Sequence, residues 1–452
     1  MQLVSFQIKE CFGFRDSGRV DLEDPANLIY ILGRNSSGKT SFLTALAHFA
    51  PSLIPQAHGN FTNFDPSTHA SYLLGEYKVG EGDLTVDAFV KAFGAKMDEL
   101  NRGTSATFGS NEYRRIKEEL TNQLSTVYAD LIEKVVRASS LWVYRTASGE
   151  YRFSTEPSFK DCTERRKQQV PTLLTKVPTQ LGIQVQASGQ MFIGGSWQPF
   201  RQPTPDEIES LLAGQLPMIL LFKEAYSLLD VLPDIIKIEH ISQGHGPLTN
   251  ALVDYLGKTQ LVRLLKGQNP RERDEILNGL QVKINNLVDE VNQDHEVGTK
   301  LLAINLSLVD GLQVTAITGD KLSFYRHLSE NTKLLFAYHL YTSVHNLKDK
   351  ILLFDEPNNG FHATAQKRLL GFLRDLGVVG NLVVISTHSE HLIDPDRLTG
   401  VRLMKSDDKG YLNIRNKWYG STTGNGDFQA LRPILDAIGL KYGRITLPFV
   451  TR

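Results

Sequence analysis

Residues 26–49 read Ala-Asn-Leu-Ile-Tyr-Ile-Leu-Gly-Arg-Asn-Ser-Ser-Gly-Lys-Thr-Ser-Phe-Leu-Thr-Ala-Leu-Ala-His-Phe. The first seven form a short apolar run, which signals a buried parallel strand when a turn follows at once. After the turn, apolar residues recur at Phe42, Leu43, Leu46 and Phe49, a helical spacing. Between strand and helix, Gly33 to Thr40 fits GxxxxGK[ST]. In that pattern glycines let backbone N–H groups curl around phosphate oxygens, the lysine reaches the outer phosphates, and the Ser/Thr hydroxyl faces Mg²⁺. The helix N-terminus adds its dipole to the amide contacts. Phosphate binding therefore falls to Gly33, Asn35, Ser36, Ser37, Gly38, Lys39, Thr40 and Ser41, with Thr40 also a metal ligand. A surface Gly–Ser loop could match the eight positions by chance, but the flanking strand and helix are independent of that match.

Downstream, the apolar run Ile351-Leu352-Leu353-Phe354 ends in Asp355-Glu356-Pro357. A strand that delivers two adjacent carboxylates is the Walker B arrangement, and strand alternation is expected to send the two to opposite sides. Asp355 is the candidate Mg²⁺ ligand and Glu356 the candidate group that orients or deprotonates the attacking water. Taken alone, the same residues could be a strand end followed by an acidic helix cap. A third run, Leu382-Val383-Val384-Ile385, ends in Ser386-Thr387-His388-Ser389. Leu369, Leu370, Phe372, Leu373 and Leu376 mark a helix between these runs, ended by Gly377. Strand, helix and strand at this length imply a right-handed crossover in a parallel sheet. His388 then falls at the sheet edge where ligands of open α/β sheets bind. A histidine at a strand end can be purely structural, but this placement favours a sensor of the γ-phosphate. ATP with Mg²⁺ is the expected ligand pair.

The rest of the chain bounds this reading. Its 452 residues are 41% hydrophobic and 22% charged. At roughly 150 residues per domain that length suggests two to four domains. Disorder, collagen and a disulfide-stapled mini-domain are excluded by composition. With 49 basic and 50 acidic side chains the net charge is −1, which argues against a globally basic nucleic-acid coat protein. Cys11 and Cys162, far apart and in no CxxC, look like unpaired thiols of a reducing cytoplasm. No secretion signal and no membrane-spanning run is apparent, so a cytoplasmic location is expected.

These segments together resemble the ABC-type ATPase heads of the RecF, SMC and OLD group. Phe6-Gln7-Ile8-Lys9-Glu10-Cys11-Phe12-Gly13-Phe14 is similar to the strand that opens those heads, and Asn358-Asn359-Gly360-Phe361-His362 is similar to the OLD-type continuation after Walker B. Leu328-Ser329-Glu330-Asn331-Thr332-Lys333 occupies the place of the family signature, with Glu330 and Asn331 at its glycine positions. The resemblance implies that Ser329 and Asn331 contact nucleotide held by a second subunit. Asn tolerates a left-handed backbone at 331, while the charge of Glu330 would repel phosphate unless turned away. LSENTK also reads as a Ser N-cap opening the helix that continues through Leu334, Leu335, Tyr338 and Leu340. Both readings can hold at once.

The expected fold is α/β: an ABC-type P-loop ATPase with a mixed or parallel sheet flanked by helices, plus an inserted α+β domain. The core is expected over residues 1–75 and 234–452, and the insert over 76–233. Within the insert, 113–136 reads as an amphipathic helix with Ile116, Leu120, Leu124, Val127, Leu131 and Val135 on one stripe, too short for an SMC arm. Hairpins are expected over 141–153 and 183–193. A helix over 271–292 precedes a hairpin turning at Asp310-Gly311. His240 and His245 lack further ligands at zinc spacing.

From His391 to Arg452 there is no glutamate, which the Toprim nuclease of OLD proteins needs. Leu431 to Leu440 looks like the stretch that leads into Toprim, so the nuclease is expected on a separate polypeptide unless the sequence stops early. The resemblance thus implies a homodimer or higher homo-oligomer that senses infection and controls a separate effector nuclease, as in PARIS or Septu anti-phage systems. DNA or a phage-encoded product would be the trigger, and no membrane partner is implied. A RecF- or SMC-like DNA-repair clamp and a nucleotide-binding scaffold with little turnover are the alternatives.

Overall fold

The computed structural model describes residues 1–50, 71–101, 111–146, 149–155, 157, 174, 176–184, 190–193, 196–199, 201–222, 232–244, 246–293, 301–318, 321–345, 347–358, 361–394, 398–416 and 434. The chain is α/β and divides into two compact units. One comprises Met1–Glu23, Thr44–Ile219 and Ser406–Ile414, the other Asp24–Leu43, Leu220–Lys405 and Arg415–Arg452.

The first unit is built on an antiparallel sheet. Gln2–Cys11 pairs with Tyr72–Lys78, which pairs with Ser140–Thr146, which pairs with Tyr151–Ser154. Ladder hydrogen bonds thus join strands from both sides of residue 75 into one sheet. The helix expected over 113–136 runs Asn111–Ala138 and buries Tyr113, Ile116, Leu120, Leu124, Tyr128, Leu131 and Val135. Tyr128, not Val127, continues the stripe and packs against Phe89 with ring centroids 4.1 Å apart. The hairpin near 141–153 is present, closed by Thr146 N–H to the Glu150 carbonyl at 3.0 Å. The second hairpin lies later than expected, pairing Gln190–Ile193 with Ser196–Pro199. Its expected turn, 187–190, lies mostly outside the described residues. Cys11 is a buried free thiol whose pKa burial pushes up to about 12, so it is inert at neutral pH. Cys162 lies outside the described residues.

The second unit carries the parallel sheet predicted from the apolar runs. Its strands lie in the order Ile219–Phe222, Ile351–Asp355, Leu382–Thr387, Leu28–Leu32 and Val401–Ser406. The Walker B strand pairs parallel with Leu382–Thr387, placing Asp355 opposite Ser386. That strand in turn pairs parallel with the P-loop strand, placing Thr387 opposite Leu32. All residues of these three strands are buried, which is why their sequences run apolar without alternation. The connecting helix, Ala363–Val378, runs one residue past Gly377. A Cβ on Gly377 would stand 2.5 Å from the Ala26 carbonyl, so this glycine serves close packing; the left-handed turn after the helix falls to Gly380, φ +93°. The later hairpin pairs Leu301–Leu308 with Leu312–Thr318 around Asp310 and Gly311, both at positive φ. Ile235–Ile236 and Lys321–Phe324 both pair with the edge of the second strand that the first leaves free, at residues 312–313 and 315–318 respectively. Among the described residues no helix is long and apolar enough to cross a membrane, and no group of His, Cys, Asp and Glu could hold a metal by itself.

Candidate functional site

The parallel register brings Leu32, Asp355 and Thr387 to one edge of the sheet, and the P-loop leaves from that edge. Leu28–Leu32 ends at Gly33, where an added Cβ would sit 2.2 Å from Ser37 Oγ and 2.9 Å from the Met404 carbonyl; only glycine fits. Ser36 and Gly38 adopt φ of +64° and +92°, two left-handed residues that curl the loop before the helix Lys39–Phe49 begins. Phe42 N–H is the donor to the Gly38 carbonyl at 3.0 Å. The amides of the preceding turn have no intrahelical acceptor and point out of the helix N-terminus. Asn35, Ser36 and Thr40 are exposed, while Ser37 is buried with its Oγ unpartnered among the described residues.

Lys39 is 6% exposed. Its Nζ donates to the Gly33 carbonyl at 2.9 Å and the Arg34 carbonyl at 3.2 Å, and pairs with Glu356 Oε1 at 3.0 Å. An ammonium has three hydrogens, and here each has an acceptor. The other carboxylate oxygen of Glu356 lies 2.9 Å from His388 Nδ1. Lys39, Glu356 and His388 therefore form one continuous polar junction at the sheet edge.

Asp355 and Glu356 do not part by strand alternation. The strand ends at Asp355, and Glu356 has φ +45°, so the chain turns out of the pleat there. Asp355, buried, accepts a hydrogen bond from Ser386 Oγ at 2.5 Å, whereas Glu356 faces Lys39 and His388. Two further bonds tie the loop carrying His388 to the segment after Walker B. Thr387 Oγ1 donates to Asn358 Oδ1 at 2.9 Å, and Ser389 Oγ donates to Gln366 Oε1 at 2.5 Å. Ser386 and Asn358 lie within stretches that the sequence singles out, but neither is given a role of its own by it. Gln366 sits within a helix and nothing in the sequence marks it.

The segment at Ser329 is an exposed N-cap. Its Oγ accepts from Thr332 N–H at 3.2 Å, opening the helix Glu330–Val344. Glu330 and Asn331 lie in its first turn, so no left-handed backbone is required at 331; of their side chains nothing is described. The hydroxyl of Ser329 also lies 2.8 Å from Thr332 Oγ1, within its own helix. Asn359, Gly360, His245 and most of 431–440 lie outside the described residues. The tail does hold one Asp-x-Asp spacing, Asp394 and Asp396, but Asp394 is fully buried and paired with Arg374 at 2.5 Å.

Residues 314–394 match the family model described as "AAA domain, putative AbiEii toxin, Type IV TA system". The matched stretch is the part of the chain that holds Ser329, Asp355, Glu356 and His388. No curated protein matches the chain. Similar solved structures include an Smc head bound to the C-terminal winged-helix domain of ScpA, with 11% identity, TM-score 0.45, and coverage of 92% of this chain and 97% of that one. An Smc head with an extended coiled coil, bound to the C-terminal domain of ScpA from Pyrococcus furiosus, gives 12% identity, TM-score 0.42, and coverage of 91% and 95%. The SMC head domain from Thermotoga maritima gives 11% identity, TM-score 0.38, and coverage of 92% and 98%.

Proposed function

We propose that the chain binds ATP with Mg²⁺ and hydrolyses it. The observation that carries this is the junction of Lys39, Glu356 and His388 at the edge where the P-loop leaves the sheet. The residues fit a nucleotide. A left-handed loop precedes a helix N-terminus, a buried ammonium stands inside it, and Ser37 Oγ is a buried polar atom lacking a partner among the described residues. Asp355 and Thr40 supply the oxygen donors that Mg²⁺ prefers. When bound, Mg²⁺ neutralises charge on the phosphate oxygens.

The residues divide the remaining work. Backbone amides of the loop and Lys39 hold phosphate. Lys39 can contact it only by releasing an acceptor, and of its three partners Glu356 alone is on a movable side chain. Nucleotide binding thus frees the Glu356 carboxylate to take a proton from water, with His388 beside its other oxygen, at ion-pair distance and without a hydrogen bond, and placed to contact the terminal phosphate. Ser329, exposed at the N-cap of its helix, and Asn331 complete the site of a second copy, which makes the active form a homodimer or higher homo-oligomer. The family description of residues 314–394, a putative toxin of a type IV TA system, supports a toxin-linked role; on our reading ATP turnover controls a separate effector such as a nuclease, in response to infection.

Purified protein is expected to release phosphate from ATP only with Mg²⁺. Glu356→Gln should abolish release by about a hundredfold or more, the usual weight of a general base, while ATP binding persists. Equal turnover in the two proteins would overturn the assignment. Control of an effector predicts co-purification with the product of a neighbouring gene and a change in that product's activity on ATP addition.

A further inference from the structure

Glu356 holds a backbone that its side chain disfavours. A φ of +45° crowds the Cβ of any residue except glycine, and the strand ladder does not impose it, because the strand ends one residue earlier. The groups that do hold it belong to a single residue. Glu356 N–H donates both to Ser386 Oγ at 3.0 Å and to the Ser386 carbonyl at 3.1 Å. The same Ser386 hydroxyl donates its hydrogen to Asp355 Oδ1. The directions are forced: a carboxylate only accepts and an amide N–H only donates, so the hydroxyl gives its proton to Asp355 and offers a lone pair to Glu356. Ser386 is fully buried, directly opposite Asp355 in the ladder, so its hydroxyl has no competing water.

We propose that Ser386 is the positioning residue of this site, fixing through one hydroxyl both the rotation of the Asp355 carboxylate and the left-handed turn that presents Glu356 to Lys39 and His388. This rests on the reading of Asp355 as a metal-holding group and Glu356 as the group that activates water. One oxygen of Asp355 is occupied by Ser386, which leaves the other for the metal or its water. Without the hydroxyl, Asp355 loses its fixed rotation, while the phosphate-binding loop, to which the Ser386 hydroxyl makes no hydrogen bond among the described residues, keeps its shape.

The test is Ser386→Ala and Ser386→Cys in the full chain, read by binding of a fluorescent ATP analogue without Mg²⁺, by the Mg²⁺ concentration that half-maximally tightens that binding, and by turnover. Ser386→Ala is expected to bind the analogue within twofold of wild type without Mg²⁺, to need at least fivefold more Mg²⁺, and to turn over at least tenfold more slowly. Ser386→Cys, which keeps the volume and a weak donor, should fall between the two. An Mg²⁺ midpoint unchanged in folded Ser386→Ala overturns the proposal whatever its turnover. If that variant does not fold, an unchanged midpoint in Ser386→Cys overturns it in the same way. Wild-type protein that binds no ATP would instead defeat the nucleotide reading itself, and this proposal with it.

Discussion

Lys39 and Glu356 each neutralise the other in this structure, and this sets what single substitutions do. Lys39 is buried and its three hydrogens all have acceptors, so Lys39→Ala removes the one cation inside the loop. ATP affinity is expected to fall at least a hundredfold, close to loss of a charge-assisted contact worth about 3 kcal/mol. Titration of a fluorescent analogue checks this, and normal binding would sink the whole nucleotide assignment. Glu356→Gln acts in the opposite direction on affinity. A neutral amide competes less well than a carboxylate for Lys39, so ATP should bind roughly three- to tenfold more tightly while turnover is lost. Weaker binding by Glu356→Gln would show that the ion pair seen here is not one the nucleotide must displace. The left-handed backbone at Glu356, a cost of about 1–2 kcal/mol, is consistent with a residue held for function and not for stability.

At the scale of elements, legibility followed the source of the physical signal. The three parallel strands were readable because burial on both faces forces continuous apolar runs, and the helix Ala363–Val378 because its apolar stripe faces the sheet. The first strand's pairing with Tyr72–Lys78, and of that strand with Ser140–Thr146, was not readable, since long-range antiparallel pairing leaves no local trace. The turn at Glu356 escaped because a non-glycine left-handed residue is fixed by a partner 30 positions away, Ser386. The two readings of LSENTK come apart by experiment. Ser329 caps the helix Glu330–Val344, so Ser329→Ala should cost about 1 kcal/mol of stability, measured by denaturant unfolding. A second-subunit role adds a separate effect: turnover lost beyond the stability change, and lost more steeply at low protein concentration. A stability change alone would reduce Ser329 to a cap.

For the whole molecule, a net charge of −1 is compatible with binding a polyanion because the anion is met locally, by loop amides, one buried lysine and a metal held by carboxylate and hydroxyl. Such a site depends little on long-range field, so ATP affinity should change only modestly between low and moderate salt, unlike a phosphate-backbone clamp, whose affinity falls steeply. On the proposed reading, the exposed Ser329 cap completes the nucleotide site of another copy of the chain, which makes a second chain a requirement for that contact. That requirement links assembly to the state of the nucleotide. The Glu356→Gln protein loaded with ATP and Mg²⁺ is expected to sediment as a dimer or larger species, and the same protein with ADP as a monomer. Wild type with ATP should pass from the first state to the second as phosphate is released. Lys39→Ala should remain monomeric throughout. Adding Ser329→Ala to Glu356→Gln should weaken the ATP-dependent dimer while leaving ATP affinity at protein concentrations below the dimer threshold unchanged. Sedimentation velocity over a range of protein concentrations reads all of these. If ATP-loaded Glu356→Gln stays monomeric at tens of micromolar, the nucleotide is held by one chain alone, and oligomer formation through nucleotide is wrong.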